Sequence, residues 1–305
     1  MKIVYVLLAH TNYEQTMRLY KHLDQEGTSI VLHISKTCET GFYERMYATL
    51  KDRPNSYFTE RAYVRWGDFG MVQGVLNAID TICEKQIDFD YAMLISGQDY
   101  PLKPHNIICQ TLEKHRGYQL VENRPYSEIR DDLKDRIESY HFWVGKRHYW
   151  YPHENKNKLS TILGDLLLSP FIAKKQIVPH NYIPYKGSFW WNLTKDCIEF
   201  LQHHIHTDIG HDLIKFFKHT KHSPESYFTT ILMNSEYKDR VVNNDYRYIL
   251  WPETGVKGRP IILTHQHYDE IASGKNLFGR KFDMTVNTSI LDMIDKNLLK
   301  LKGPD

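Results

Sequence analysis

Apolar residues along this chain gather in short runs that stop at turn residues, with amphipathic stretches between them, which predicts strands alternating with helices. Residues 3–8 form the first apolar run, and it ends at Ala9-His10-Thr11-Asn12. There Thr11 or Asn12 suits the cap of a helix carrying Tyr13, Met17, Tyr20 and Leu23 on one face. A second strand over 29–34 ends at His33-Ile34-Ser35, so the opening is a βαβ unit and the sheet is expected to be parallel. Asp68 is a plausible cap for a helix in which Phe69, Val72, Leu76, Ile79 and Cys83 recur at helical spacing. The run 92–95 then stops at Ser96-Gly97 and delivers a carboxylate at Asp99, a fixed turn at Pro101 and a cation at Lys103. A buried strand ending in such a cluster predicts a site, because ligands of open α/β sheets bind beyond the carboxyl ends of the strands.

The alternation continues through a helix over 104–116 and a return to the sheet over 118–121. It breaks down over 124–185, where charges, histidines, aromatics and Pro152, Pro170, Pro179 and Pro184 predict helical pieces and long loops. A strand over 186–193 and a helix over 194–203 follow. Ser223-Pro224-Glu225-Ser226 reads as a helix start with Ser223 as N-cap and Pro224 at the first helical position, which puts Glu225 near a helix N-terminus. The tail predicts a short strand over 261–263 and a terminal helix with Ile290, Ile294 and Leu298 on one side. With no repeat and no low-complexity segment, the expectation is one α/β domain spanning 1–305.

Composition narrows the partners. A net charge of +2 gives no electrostatic case for nucleic acid, so any anion site must be local. The 21 tyrosines and 6 tryptophans fall largely in polar segments, as ligand-lining rings often do. Cys38, Cys83, Cys109 and Cys197 form neither CxxC nor a Cys/His metal spacing, so they read as reduced thiols in a reducing compartment. The apolar run near the start is too short for a signal peptide or a membrane span.

Several chemistries lack their motifs. GxGxxG, GxxxxGK[ST] and GxSxG are all missing, and the HxH and HxxH pairs of a chain with 17 histidines have no third ligand at a telling distance. Asp88-Phe89-Asp90 has the form of a metal-holding Asp-x-Asp, but it precedes a strand, whereas such a pair should emerge after one. Cations for a diphosphate are offered instead by Arg259 and by Arg280-Lys281.

Trp66-Gly67, Leu94-Ile95-Ser96-Gly97-Gln98-Asp99-Tyr100-Pro101-Leu102-Lys103, Ser223-Pro224-Glu225 and Leu277-Phe278-Gly279-Arg280-Lys281-Phe282-Asp283 together resemble the core-2/I-branching β-1,6-N-acetylglucosaminyltransferase family, which includes peptide xylosyltransferases. The resemblance implies a variant, Rossmann-like GT-A fold. Residues 1–121 would then form the nucleotide-sugar half, and 122–305 would carry the acceptor loops, the catalytic carboxylate and the diphosphate-binding part. It further implies inverting, metal-independent transfer from a nucleotide sugar to a glycan or lipid-linked glycan, with no cofactor. By position Glu225 matches the general base, and Arg259 and Lys281 match the diphosphate-binding pair, with Arg280, His10, His33 and Asp99 beside the donor. Trp251, Trp190 and Lys103 are assigned to the acceptor, Trp190 and Trp191 being expected to point to opposite faces of their strand. One departure is Ser35 where the family has Asp near the nucleotide base, so a UDP-sugar of the N-acetylglucosamine or xylose class is implied with base and sugar left open. The expected location is the cytoplasm, with peripheral contact at the inner face of the membrane and oligomeric state both open. A non-catalytic carbohydrate-binding protein and a metal-dependent transferase using Asp88 and Asp90 are the alternatives.

Overall fold

The computed structural model describes residues 1–129, 134–144, 147–151, 175–252 and 259–300. The core is laid down by the first half of the chain. Strand β1 (Ile3–Ala9) leads through Asn12 into helix α1 (Tyr13–Leu23), and Asn12 Oδ1 accepts the Gln15 N–H at 3.1 Å. Strand β2 (Thr28–Ile34), helix α2 (Phe42–Leu50) and strand β3 (Ser56–Phe58) extend the sheet on one side. Helix α3 (Phe69–Glu84) starts where Asp68 Oδ1 accepts the Gly70 N–H at 2.9 Å, and it delivers the chain to strand β4 (Tyr91–Ser96). A short strand β5 (Tyr100–Pro101), helix α4 (His105–Lys114) and strand β6 (Gln119–Val121) follow.

Seven strands form the main sheet in the order Val241–Val242, β6, Trp191–Thr194, β4, β1, β2, β3. Only Trp191–Thr194 runs antiparallel to its neighbours β4 and β6, so the sheet is mostly parallel, as expected. The pleat divides the core between two faces. Val4, Val6, Ala92 and Leu94 pack with α3 and the helix Lys195–Ile205, whereas Ile3, Tyr5, Leu7, Met93 and Ile95 pack with residues of α1, α4 and the helix Ser289–Met293. The chain steps outward from β1 to β2 and β3 and then crosses back through α3 to β4 on the other side of β1, and the crevice between β1 and β4, where the direction reverses, is where doubly wound sheets bind ligands.

Three sequence expectations change. Residues 186–193 do not form one strand: Tyr185–Lys186 pairs with Arg124–Pro125, and only Trp191–Thr194 joins the main sheet. Trp190 therefore precedes the strand, the pleat rule does not separate it from Trp191, and both rings lie in the same core cluster. Residues 261–263 form no strand, although the Ile261 N–H donates to Leu250 O and the Leu263 N–H to Lys281 O, each at 2.8 Å. Third, Ser223–Glu225 is a single 3-10 turn and the helix begins later, at Tyr227–Met233 with Ser226 in the N-cap position. Within 124–185 the described residues do form short pieces, among them the helix Asp135–Glu138 and the hairpin Tyr140–Val144/Arg147–Tyr151. Residues 130–133, 145–146 and 152–174 of that expectation, with Pro152 and Pro170, lie outside the described residues.

Candidate active site

A smaller sheet carries the basic residues toward the crevice. In it Arg247–Ile249 pairs with Phe278–Arg280, which in turn pairs with β5. This brings two guanidinium groups onto one buried carboxylate. Asp99 is fully buried, with Arg247 Nη1 at 3.5 Å from its Oδ2 and Arg280 Nη1 at 3.4 Å from its Oδ1. The Ser96 N–H donates to Asp99 Oδ2 at 2.6 Å, closing the turn after β4. Asp99 was expected beside the donor; with no exposed surface it cannot touch one, and it acts as the anchor that aims Arg280. Trp190, expected at the acceptor, lies under the same group, its ring 4.0 Å from the Arg280 guanidinium carbon.

Arg280 reaches a cavity of 390 Å³ that also holds Trp66, His222, Glu225, Trp251 and Glu122. Glu225 is the centre of its ion pairs. Arg136 Nη1 lies 3.2 Å and Lys186 Nζ 3.1 Å from Glu225 Oε2, while Oε1 makes no hydrogen bond among the described residues and stands 3.9 Å from His222 Nδ1. The expected helix dipole is thus replaced by two direct cations, because the turn Ser223–Glu225 stands outside the helix. Burial is the main force on His222, holding its pKa down at about 4 despite the nearby Glu225 carboxylate, so at neutral pH the ring is uncharged. Glu122 goes the other way: burial first, then Asp245, raises its carboxyl pKa.

Two glycines explain why these parts meet. Gly67 is at φ +76°, and a Cβ there would come within 2.8 Å of His222 Nδ1; its carbonyl accepts the His222 N–H at 2.8 Å. Gly187 donates its N–H to Glu225 O at 2.7 Å, and a Cβ on it would meet Glu122 O at 1.8 Å. Sequence reasoning missed Arg136, Lys186, His222 and Glu122. A glycine inside what read as a strand, next to Lys186, was a usable signal of close backbone approach.

The remaining cations gather at the carboxyl end of β1. Lys281 has its pKa lowered, by burial first and then by the charges of Arg280 and Arg259, with Asp283 opposing. His10 is lowered too, by lost water contact and then by Lys281. Arg259, Arg280, Lys281 and His10 therefore share one electropositive region. A second cavity of 360 Å³, lined by Asn12, Glu39, Gln98 and Asp283 among others, opens beside it. His33 is not part of this: it is buried against Gly74 and its Nε2 accepts the Ala62 N–H at 3.0 Å, so it holds the β2 end in place. Lys103 is half-buried in the turn after β5 and lines neither this cavity nor the one around Glu225. Asp88 and Asp90 sit at the opposite, amino end of the strands, where Lys2 Nζ lies 2.5 Å from Asp88 Oδ2 and the Lys2 N–H donates to Asp90 Oδ2 at 2.7 Å. That disposes them as a clasp between β1 and β4. Among the described residues no group of three or more His, Cys, Asp or Glu is arranged to hold a metal ion, and no helix is long and apolar enough to cross a membrane.

Known proteins resemble this chain along most of its length. Xylosyltransferase 2 of Rattus norvegicus is 22% identical over 316 residues, covering 97% of this chain and 34% of its own. N-acetyllactosaminide beta-1,6-N-acetylglucosaminyl-transferase of Mus musculus is 22% identical over 232 residues, covering 75% of this chain and 52% of its own. The chain thus spans between about a third and a half of the curated relatives it matches. Among solved structures, S. aureus TarS 1-349 in complex with UDP covers 46% of this chain and 40% of its own at 14% identity with a TM-score of 0.28, a likeness too slight to carry an argument. Residues 3–272 match the family described as Core-2/I-Branching enzyme, and the chain belongs to that family.

Proposed function

We propose that this protein is an inverting glycosyltransferase that moves a sugar from a nucleoside-diphosphate donor to a hydroxyl of a glycan, without a metal ion. The observation that carries the reading is the pairing of Glu225 and Arg280 in one cavity, with an exposed indole, Trp251, on its wall. In the reaction the acceptor hydroxyl gives its proton to Glu225 Oε1, the oxygen that the two cations leave unoccupied. The hydroxyl oxygen bonds to the anomeric carbon from the face opposite the diphosphate as the carbon–phosphate-oxygen bond breaks. Negative charge grows on the departing diphosphate, and Lys281, Arg259 and Arg280 meet it there. Arg136 and Lys186 hold the Glu225 carboxylate in place before the acceptor arrives. The smaller cavity beside Lys281 suits the nucleoside, with Glu39 and Asp283 as acceptors for its hydroxyls. Names of the relatives favour N-acetylglucosamine or xylose as the sugar.

The test is transfer and donor hydrolysis measured against a panel of UDP-sugars, with and without EDTA. Turnover that survives the chelator supports the proposal. Turnover abolished by EDTA and restored by a divalent ion would return the reaction to a metal-dependent mechanism, and binding without turnover would leave a carbohydrate-binding protein on this fold.

A further inference from the structure

We infer that the acceptor is an oligosaccharide, whose next sugar ring leaves the Glu225 cavity across Trp66 and sits in a second subsite walled by the hairpin Tyr140–Val144/Arg147–Tyr151. This rests on the transferase reading and extends it to the length of the acceptor.

The subsite is a cavity of 300 Å³, at the small end of ligand clefts, which run from about 300 to 1,000 Å³. It shares Trp66, Gly67 and His222 with the catalytic cavity, so the two are contiguous. Its far wall is one face of the hairpin. Trp143 pairs across the strands with His148, and His141 with Trp150, so these four rings project from the same side. His141 and His148 stack with centroids 5.2 Å apart and planes 6° apart, and Trp143 leans on His148 at 4.9 Å. Two indoles of this one lining keep solvent-exposed surface, Trp66 at 58% and Trp143 at 43% exposure, the latter with the Arg65 guanidinium carbon 5.2 Å from its ring centre, and together they make an apolar patch suited to a ligand.

An isolated two-stranded hairpin is marginal in water, yet this one is pinned. The His141 N–H donates to His219 O at 2.8 Å, and the buried amide of Gln176 donates to Ser139 O at 2.7 Å and His219 O at 2.9 Å. The same loop ties back to the base, because the Lys221 N–H donates to Arg136 O at 2.8 Å and Arg136 pairs with Glu225. Burial lowers the pKa of His141 to about 4 and depresses that of His148, so the wall is an uncharged stack at neutral pH. Flat uncharged rings with indole and imidazole N–H edges match a pyranose ring, whose faces are apolar and whose rim is a ring of hydroxyls.

The experiment uses the full chain, its Trp143→Ala and Trp143→Phe variants, and two readouts. Binding is read on a glycan array of mono- to hexasaccharides; transfer is read as the ratio of kcat/KM for a tetrasaccharide over that for its terminal monosaccharide. The expected result is a wild-type preference for longer acceptors that falls about tenfold in Trp143→Ala and is largely restored in Trp143→Phe, at equal melting temperature. A ratio that is the same in wild type and Trp143→Ala overturns the subsite, as does a preference for peptide over every oligosaccharide. Should no donor be turned over, the transferase reading fails separately, and the array still decides: retention of oligosaccharides that Trp143→Ala abolishes keeps the subsite, and no retention by the wild type removes it.

Discussion

His222 donates its backbone N–H to the carbonyl of Gly67 at 2.8 Å, and its ring meets the Trp66 indole edge-on with centroids 4.8 Å apart. Two motifs far apart in the chain are thus one contact, and it sets the wall beside Glu225.

Replacing Gly67 with Ala tests that contact. A Cβ at this position meets the His222 ring at 2.8 Å, and φ of +76° is strained for any side chain. We expect a loss of about 1–3 kcal/mol in stability, read by urea unfolding, together with a fall in kcat from the displaced ring. A variant as stable and as active as the wild type would mean that the two motifs are neighbours without consequence.

Glu225→Gln keeps the size of the side chain and can still accept from Arg136 and Lys186 through its amide oxygen. It cannot take the acceptor's proton. Transfer should drop by at least about a hundredfold while nucleotide affinity, measured by calorimetry, stays put. Equal turnover would move the base elsewhere, with Glu122 in the same cavity as the next candidate.

How far the sequence foretold this site depends on what each residue rests upon. Strands β1, β2 and β4 and helices α1 and α3 were legible because buried parallel strands are continuous apolar runs and their helices carry a periodic face, as Ala92, Leu94 and Val72, Leu76, Ile79 do, whereas helix α2 and the three-residue strand β3 were not foreseen. Arg280 was legible as a cation beside the donor but not as the ion-pair partner of a buried Asp99, since that meeting is made by a three-residue strand, Phe278–Arg280, too short to leave a pattern. Arg136 and Lys186 were invisible because each comes from an element too short to leave a period, a four-residue helix and a two-residue strand. The N-cap assignment of Ser223 failed by one turn: Pro224 does start a helical turn, but a 3-10 one that ends at Glu225.

Lys281→Ala should weaken binding of a nucleoside diphosphate by roughly 1.5–3 kcal/mol, the range for a hydrogen bond to a charged group. The loss should shrink as salt is raised, because Arg259 beside it is exposed and the region is screened. Calorimetry with UDP at low and high salt gives both numbers. Unchanged affinity would take Lys281 out of the diphosphate site.

Three histidines make folding stability depend on pH in a window that their own pKa values define. Burial lowers His33, His141 and His222 from 6.5 to about 4 each, with Arg61 adding to the effect at His33. Between pH 4 and 6.5 the unfolded chain therefore protonates these rings while the native one does not. The unfolded state binds more protons there, so stability rises with pH through the window and is lost as pH falls through it, by up to about 3 kcal/mol per ring. Raised carboxyls act in the opposite sense: Glu122, Asp68 and Asp245 are all pushed up by burial, and their native forms gain protons as the pH drops. The net slope alone would not isolate the imidazoles, but a difference between variants does. Gln in place of His33 retains a polar group near the Ala62 N–H, which His33 Nε2 accepts at 3.0 Å, and cannot titrate. Unfolding free energies of wild type and His33→Gln, measured in urea at half-unit steps from pH 7 to 4.5, should converge as the pH falls, the wild type losing its advantage by more than about 1 kcal/mol over that range. Parallel curves would show that His33 takes up its proton in the native fold as readily as in the unfolded chain.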